Sequence, residues 1–174
     1  MNDPTPIPDY AHAARAAARR LENRVVVDGA LCAALTRESF DVENPADLSI
    51  VSCVPRCRAE DVERAVAAAH AAFSGWTATP PRERGRLLAR FADCIEREAN
   101  ALAELLALET GNALTTQARP ELAATVDTLR LFAGFGSEIK GRTVPYEANT
   151  ISYTTRDPLG VVAAIIPWNA PLFL

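Results

Sequence analysis

The chain has 174 residues, of which 49% are apolar and 23% charged, so it is long enough to bury one hydrophobic core. A formal net charge of -4 lacks the surplus of Lys and Arg that a phosphate-binding surface needs, which excludes nucleic acid as an expected partner. The longest uninterrupted apolar run, residues 161–168, is far shorter than the ~20 residues of a membrane-spanning helix. We therefore expect no membrane partner.

Cysteine and histidine spacing predicts no metal site. The chain has four cysteines and two histidines, at Cys32, Cys53, Cys57, Cys94, His12 and His70. The Cys-x3-Cys spacing is loose for zinc, and no second Cys/His pair follows at ligand distance. Each histidine lies in an Ala-rich helical stretch, where a solvated or packed side chain is expected. With a polar N-terminus and no secretory signal, the thiols are interpreted as reduced and the protein as cytoplasmic.

Residues 1–23 are predicted to form a flexible leader followed by a surface helix. Prolines occupy positions 4, 6 and 8, and residues 11–20 are rich in Ala and Arg. A transit peptide has a similar composition, but Asp3 and Asp9 flank this stretch and no apolar run follows it.

A small β-meander is predicted over residues 24–55. Val25–Val27 read as a strand that enters an Asp28-Gly29 turn, because Asp-Gly supplies the positive φ angles of a tight hairpin. Turn residues at 44–47 precede a second strand signal at 48–54.

Helices are predicted from residue 59 to about residue 140. Apolar residues recur at spacings of three and four along three helices, which predicts one buried stripe on each. The first stripe contains Val62, Val66, Ala69, Phe73 and Trp76; the second Leu87, Leu88, Phe91 and Ile95; the third Leu122, Val126, Leu129 and Phe132. Between the last two, a helix near residues 100–110 is expected to end at Gly111.

Strand patterns return after residue 141. Residues 143–145 and 150–155 are predicted strands, and the second alternates like an edge strand with two different faces. Residues 161–166 are apolar on both faces, which is typical of a strand buried in a parallel sheet. Together with the helices, these strands predict an α/β fold.

The last residues place Asn169 where a buried strand would pass into a helix. Pro167 ends the strand, and Ala170-Pro171 suit the first turn of a helix. Ligands of α/β sheets bind at such strand ends, and a neutral Asn amide can donate to a developing oxyanion. A simpler interpretation is that Asn169 only caps the next helix, and spacing alone favours that alternative.

Residues 165–172, IIPWNAPL, resemble the Pro-Trp-Asn strand-to-helix motif of the NAD(P)-dependent aldehyde dehydrogenase superfamily, and RDPLGVV at 156–162 resembles the stretch before it. Further matching segments follow the family's order at residues 44–46, 59–62, 65–66, 68–69, 72–76, 81–84, 108–111 and 130–134. The resemblance covers about residues 24–174. It departs at Asn112, where many members have Lys, and at Ala170, where Phe is common.

The resemblance implies an aldehyde dehydrogenase-like α/β fold with a Rossmann-like cofactor domain. Residues 24–141 would form the N-terminal helices and meander of that domain. Residues 142–157 would be strands of an oligomerisation arm, which implies a homo-oligomer, either dimer or tetramer. Residues 158–174 would supply the first strand of the nucleotide-binding sheet and the start of the next helix.

For activity, the resemblance implies oxidation of a small aldehyde to a carboxylic acid with NAD or NADP, through a cysteine thiohemiacetal and thioester. Asn169 matches the family's oxyanion-hole asparagine, and Ile165, Ile166, Pro167 and Trp168 match the stretch that lines the cofactor cleft. No cysteine of this chain matches the family's nucleophile, whose position falls beyond residue 174, as does that of the general-base glutamate.

We therefore expect the 174-residue chain alone to be inactive and to bind the cofactor weakly. Two alternatives stay open at this point. The chain could be a non-catalytic oligomerisation or binding module derived from this family, or the complete enzyme could pass its acyl group to coenzyme A instead of water.

Overall fold

The structure is a computed structural model that describes residues 9–174. The predicted leader, with its prolines at 4, 6 and 8, lies largely outside the described residues. The helices are α1 (Asp9–Arg20), α2 (Ala59–Ala78), α3 (Pro81–Arg97), α4 (Ala99–Thr110) and α5 (Arg119–Gly134). The strands are β1 (Val25–Val27), β2 (Ala30–Cys32), β3 (Ser39–Glu43), β4 (Ile50–Pro55), β5 (Thr143–Val144) and β6 (Ser152–Tyr153). Short π and 3₁₀ turns, Leu114–Ala118 and Phe135–Ser137, flank α5. The mixed helices and strands agree with the predicted α/β class.

The N-terminal strands form two separate hairpins rather than the predicted meander. β1 pairs antiparallel with β2 across a turn in which Asp28 and Gly29 have φ values of 52° and 71°. That turn is the predicted one. β3 pairs antiparallel with β4 in a second sheet. The meander prediction is wrong: β4 pairs with β3, which the sequence pattern did not reveal, and β1 and β2 form a sheet of their own.

Helix α1 is docked on the protein rather than lying free on its surface. Its small residues Ala11, Ala14 and Ala18 are buried against Val51 of β4 and Leu108 of α4. Small side chains on one face let a helix approach its neighbours closely, so an Ala-rich stretch can serve as a packing face.

Helices α3, α4 and α5 form the main helical packing of the chain. Ala103 and Leu106 of α4 cluster with Ala118 and Leu122, and we call these four residues the α4–α5 cluster. Leu122 is the largest of the fully buried side chains among the described residues, with 2% of its surface exposed. Gly111 ends α4 in a left-handed conformation with φ 73°, as predicted.

Helix α3 approaches α5 through small residues. Gly85 and Ala92 are its buried positions, and a Cβ at Gly85 would overlap the carbonyl oxygen of Ala133 in α5. An ion-pair network adds to this contact, because the Arg130 guanidinium of α5 lies between the carboxylates of Glu96 and Asp93 of α3. Its hydrogen bond with Glu96, followed by that with Asp93, raises the pKa of Arg130.

All three predicted apolar stripes differ in part from the structure. Val62, Val66 and Trp76 of α2 are exposed, as are Leu87 and Phe91 of α3 and Phe132 of α5. The spacing rule identified an apolar face but not its burial. Phe132 meets Phe135 edge-on, and the other five side chains keep 43–58% of their surface exposed. By contrast, Leu122 and Val126 of α5 are buried as predicted.

Helix α2 is fixed at its N-terminal end by a buried carboxylate. Asp61 is 4% exposed, and its two oxygens accept the backbone N–H groups of Leu35 at 2.9 Å and Arg58 at 3.1 Å. These hydrogen bonds, that from Leu35 contributing most, lower the pKa of Asp61. The Arg64 guanidinium lies 3.7 Å from the same carboxylate.

The strand predictions after residue 141 hold in part. β5 and β6 lie within the two predicted strand segments and pair as an antiparallel hairpin, with Thr143 opposite Tyr153. Residues 161–166, predicted to be a buried strand, form no hydrogen-bonded strand, and Val161, Val162, Ile165 and Ile166 are exposed. The physical reason is that none of the described strands lies beside this segment, so its backbone has no pairing partner.

Among the described residues, no helix is both long and apolar enough to span a bilayer.

Candidate active site

The residues around Asn169 form a single helical turn. Residues 168–173 lie in turns and a bend, and the Leu174 N–H donates to the Ala170 carbonyl at 3.1 Å. This i to i+4 bond is the first bond of an α-helix, which makes Ala170 its N-cap and Pro171 its first residue. Pro is favoured at that position because its fixed φ suits a helix and its missing N–H would be unpaired anyway. The predicted helix start is thus present as one turn.

The free N–H groups of this turn are satisfied by a carboxylate from α5. Oε1 of Glu121 accepts the N–H of Leu172 at 3.1 Å and that of Phe173 at 3.3 Å. An N-cap side chain normally fills this role, but Ala170 has no side-chain oxygen. The negative charge also complements the positive end of the turn.

The same turn is held by an apolar contact. Leu172 is partly buried and packs against the α4–α5 cluster. Its side chain and its backbone N–H therefore both connect to the region around the start of α5. The end of the described chain is positioned by helices that lie some 50 residues earlier in the sequence.

Asn169 precedes this anchored turn and is exposed. The predicted cofactor-lining residues come just before it and are also exposed, Ile165 by 97% and Trp168 by 85%. The structure thus places Ile165, Ile166, Pro167, Trp168 and Asn169 in one accessible segment. Asn169 itself has a free amide among the described residues, since no hydrogen bond to its side chain is formed within residues 9–174.

The exposed segment is apolar and carries no positive charge. Ile165, Ile166 and Trp168 offer flat and branched apolar surface to an aromatic ring. Residues 161–174 contain no Lys or Arg that could balance a pyrophosphate. The segment is therefore suited to apolar contacts rather than to binding a charged group.

Two of the four cysteines, Cys53 and Cys57, have thiols whose pKa is raised. Cys53 donates to the Asp41 carboxylate at 3.0 Å, and this bond raises the pKa of its thiol. Desolvation raises the pKa of Cys57. A nucleophilic cysteine needs the opposite shift, toward the thiolate.

The sequence patterns missed one residue of this arrangement, Glu121. They placed it only at the start of a helix, whereas the structure shows it bonded to residues 51 and 52 positions later. A signal was available in Ala170, a poor N-cap that leaves N–H groups in need of an acceptor. Nothing in the spacing, however, could say which carboxylate supplies it.

Comparison with known proteins defines the class. The sequence pattern described as "Aldehyde dehydrogenase family" matches residues 31–174. The chain is 40% identical over 138 residues to an aldehyde dehydrogenase of Emericella nidulans, covering 79% of this chain and 28% of that protein. The chain therefore belongs to the aldehyde dehydrogenase family, an oxidoreductase family.

Solved structures of the family have the same fold. HpcC from Thermus thermophilus matches with a TM-score of 0.89 and 30% identity, over 95% of this chain and 32% of that one. The NAD+ complex of aldehyde dehydrogenase from Bacillus cereus matches with a TM-score of 0.87 and 32% identity, over 97% and 34%. The chain thus spans about a third of the length of the relatives it matches.

Proposed function

We propose that this chain is the N-terminal part of an enzyme that oxidises an aldehyde to a carboxylic acid with NAD or NADP. The observation that carries the proposal is the family match over residues 31–174, which includes the Pro-Trp-Asn motif. The accessible position of Asn169 beside an anchored turn supports it.

Asn169 is proposed to bind the substrate oxygen. When a thiolate adds to the carbonyl carbon of an aldehyde, the π electron pair moves to the oxygen and leaves it negative. A neutral amide N–H that is already in place stabilises that charge without giving up a proton. Such a donor strengthens its hydrogen bond most in the transition state, so it acts mainly on kcat.

Ile165, Ile166, Pro167 and Trp168 are proposed to line the cofactor cleft. When bound, a nicotinamide cofactor would supply the hydride acceptor for the thiohemiacetal carbon, which becomes the thioester carbon as the hydride leaves. This chain's part is to present apolar surface to the ring and to exclude water from it. The complex of the Bacillus cereus relative with NAD+ supports NAD as one cofactor, and NADP stays the alternative.

The nucleophile and the general base are proposed to be supplied by a longer protein. The raised pKa values of Cys53 and Cys57 support this, because both thiols are held in their unreactive form. The β5–β6 hairpin is proposed as part of an oligomerisation arm in a homo-oligomer. The other candidate is a non-catalytic binding module, which the exposed apolar faces of α2 and residues 161–168 favour.

The test compares two proteins, the 174-residue chain and the longer product of its reading frame if translation continues past Leu174. Formation of the reduced cofactor is followed with a panel of small aldehydes and with NAD or NADP. We expect turnover only from the longer protein. Steady-state oxidation by the purified 174-residue chain would refute the proposal that the nucleophile and the general base come from a longer protein. A stop codon after Leu174 with a soluble product would favour the binding module.

The compartment is proposed to be the cytoplasm. All four cysteines lie within the described residues and are free, in agreement with a reducing environment. Fractionation of cells that express the tagged protein at native level tests this, with recovery in a membrane or organelle fraction as the opposing result.

A further inference from the structure

We propose that Glu121 is the positioning residue of Asn169: its carboxylate caps the turn at residues 170–174 from α5 and thereby fixes where the Asn169 amide points. This inference rests on the proposed function for the role of Asn169. The capping contact itself is independent of the proposed function, because both of its partners are described residues of this chain.

The first step is the local need for an acceptor. The helical bond from Leu174 to Ala170 makes Leu172 and Phe173 the second and third residues of the turn. Their N–H groups are the ones that an N-cap side chain usually accepts. Because Ala170 cannot accept and Pro171 has no N–H, the turn depends on an acceptor from elsewhere.

The second step is the identity of that acceptor. Glu121 Oε1 lies 3.1 Å from the Leu172 nitrogen and 3.3 Å from the Phe173 nitrogen, so one oxygen serves both groups. Charge-assisted bonds of this kind are stronger than neutral ones. The bond from Leu172 is partly buried, which limits competition from water there, whereas the bond from Phe173 is exposed.

The third step is rigidity. Glu121 is next to Leu122, the most buried large side chain of the α4–α5 cluster, and Leu172 packs on that same cluster. The turn is therefore held by a polar and an apolar contact to one rigid body. Asn169 lies one residue before the N-cap, so the direction of its backbone is set where the turn begins.

The mechanism follows from this geometry. An oxyanion donor works only within a narrow range of distance and angle, and a displacement of about 1 Å can cost about 100-fold in rate. Glu121 would touch neither substrate nor cofactor and would act through the turn alone. Its loss should therefore lower kcat while leaving the KM for the cofactor unchanged.

The contact is tested in the 174-residue chain by amide hydrogen exchange, residue by residue, with NMR. In Glu121→Ala the amides of Leu172 and Phe173 should exchange about tenfold faster, since a bond to a charged acceptor is lost. Glu121→Gln keeps an oxygen acceptor and should restore most of the protection. Slow exchange at Val126 reports that α5 is still folded.

Asp127→Ala is the matched control. Asp127 is an exposed carboxylate on the same helix and accepts no hydrogen bond from the described residues. It should leave Leu172 and Phe173 unchanged. Equal exchange in Glu121→Ala and the parent chain, or equal acceleration by Asp127→Ala, would overturn the capping contact.

The functional half is tested in the longer enzyme. Glu121→Ala should lower kcat for aldehyde oxidation by about tenfold or more, with cofactor KM unchanged and with rescue by Glu121→Gln. Unchanged kcat, or loss that Gln does not rescue, would overturn the positioning role. Asn169→Ala, assayed beside them, tests the proposed function separately, because its failure to reduce turnover would remove the role of Asn169 and not the contact.

Discussion

Helices α3 to α5 and residues 158–174 are both rich in apolar side chains, but they use them differently. The helices bury Gly85, Ala92 and Leu122 against one another. Residues 158–174 leave Ile165 and Trp168 open, and the turn after Asn169 attaches to the helices through Glu121 and the α4–α5 cluster. The helices cover each other's apolar side chains, whereas residues 158–174 present an exposed apolar surface.

The difference shows that the burial of an apolar side chain depends on which elements pack against it as much as on its spacing in the sequence. The apolar residues of α2 have the spacing of a buried stripe and are exposed, as are those at residues 161–166. The following predictions test how separate the two regions are.

Leu122→Ala should have the largest effect, because it breaks the packing that both regions share. We expect a loss of about 2–5 kcal/mol in the free energy of unfolding, the usual cost of a buried Leu to Ala change. Denaturant unfolding followed by circular dichroism measures it. Leu131→Ala on the same helix, 57% exposed, is the control and should cost less than about 0.5 kcal/mol. Equal losses would mean that α5 is not buried as described.

Gly85→Ala should destabilise the helical region alone. The new Cβ would meet the Ala133 carbonyl, so α3 and α5 must move apart, at a cost of about 1–3 kcal/mol. Gly75→Ala in α2 is the matched control: no atom lies within 4 Å of the new Cβ, and Ala should stabilise that helix by about 1 kcal/mol. Thermal unfolding compares the pair, and the same sign of shift in both variants would contradict the close approach.

Asp61→Asn should have a smaller effect that appears only above acidic pH. The bonds from Leu35 and Arg58 lower the pKa of Asp61 in the folded chain. A carboxylate with a lowered pKa stabilises the fold above its ordinary pKa, and this contribution is lost as pH falls through the folded value. The variant should therefore melt several degrees lower at neutral pH and nearly together with the parent chain in acid.

The exposed neighbour provides the control for that pH profile. Glu60→Gln lies in the same first turn of α2 and should leave the difference between neutral and acid melting temperatures unchanged. A parallel profile for Asp61→Asn and the parent chain across this range would show that the buried carboxylate does not stabilise the start of α2.

Short-range chemistry was predictable from the sequence, and long-range contacts were not. The Asp28-Gly29 turn and the Gly111 helix end follow from backbone preferences at single positions. The pairing of β3 with β4, the exposed face of α2 and the Glu121 cap depend on residues far apart in the chain. Asn169 could be proposed from the sequence because its motif is continuous, whereas the residue that holds its turn is 48 positions away.

The most direct test of the account is the steady-state rate of aldehyde oxidation by the longer enzyme with Asn169→Ala. Loss of an oxyanion donor should lower kcat by about 100- to 1,000-fold, with the KM for the cofactor little changed. Asn169→Asp, similar in size but negatively charged at neutral pH, should be no better. A kcat close to that of the parent enzyme would contradict the central claim that Asn169 stabilises the reacting oxygen.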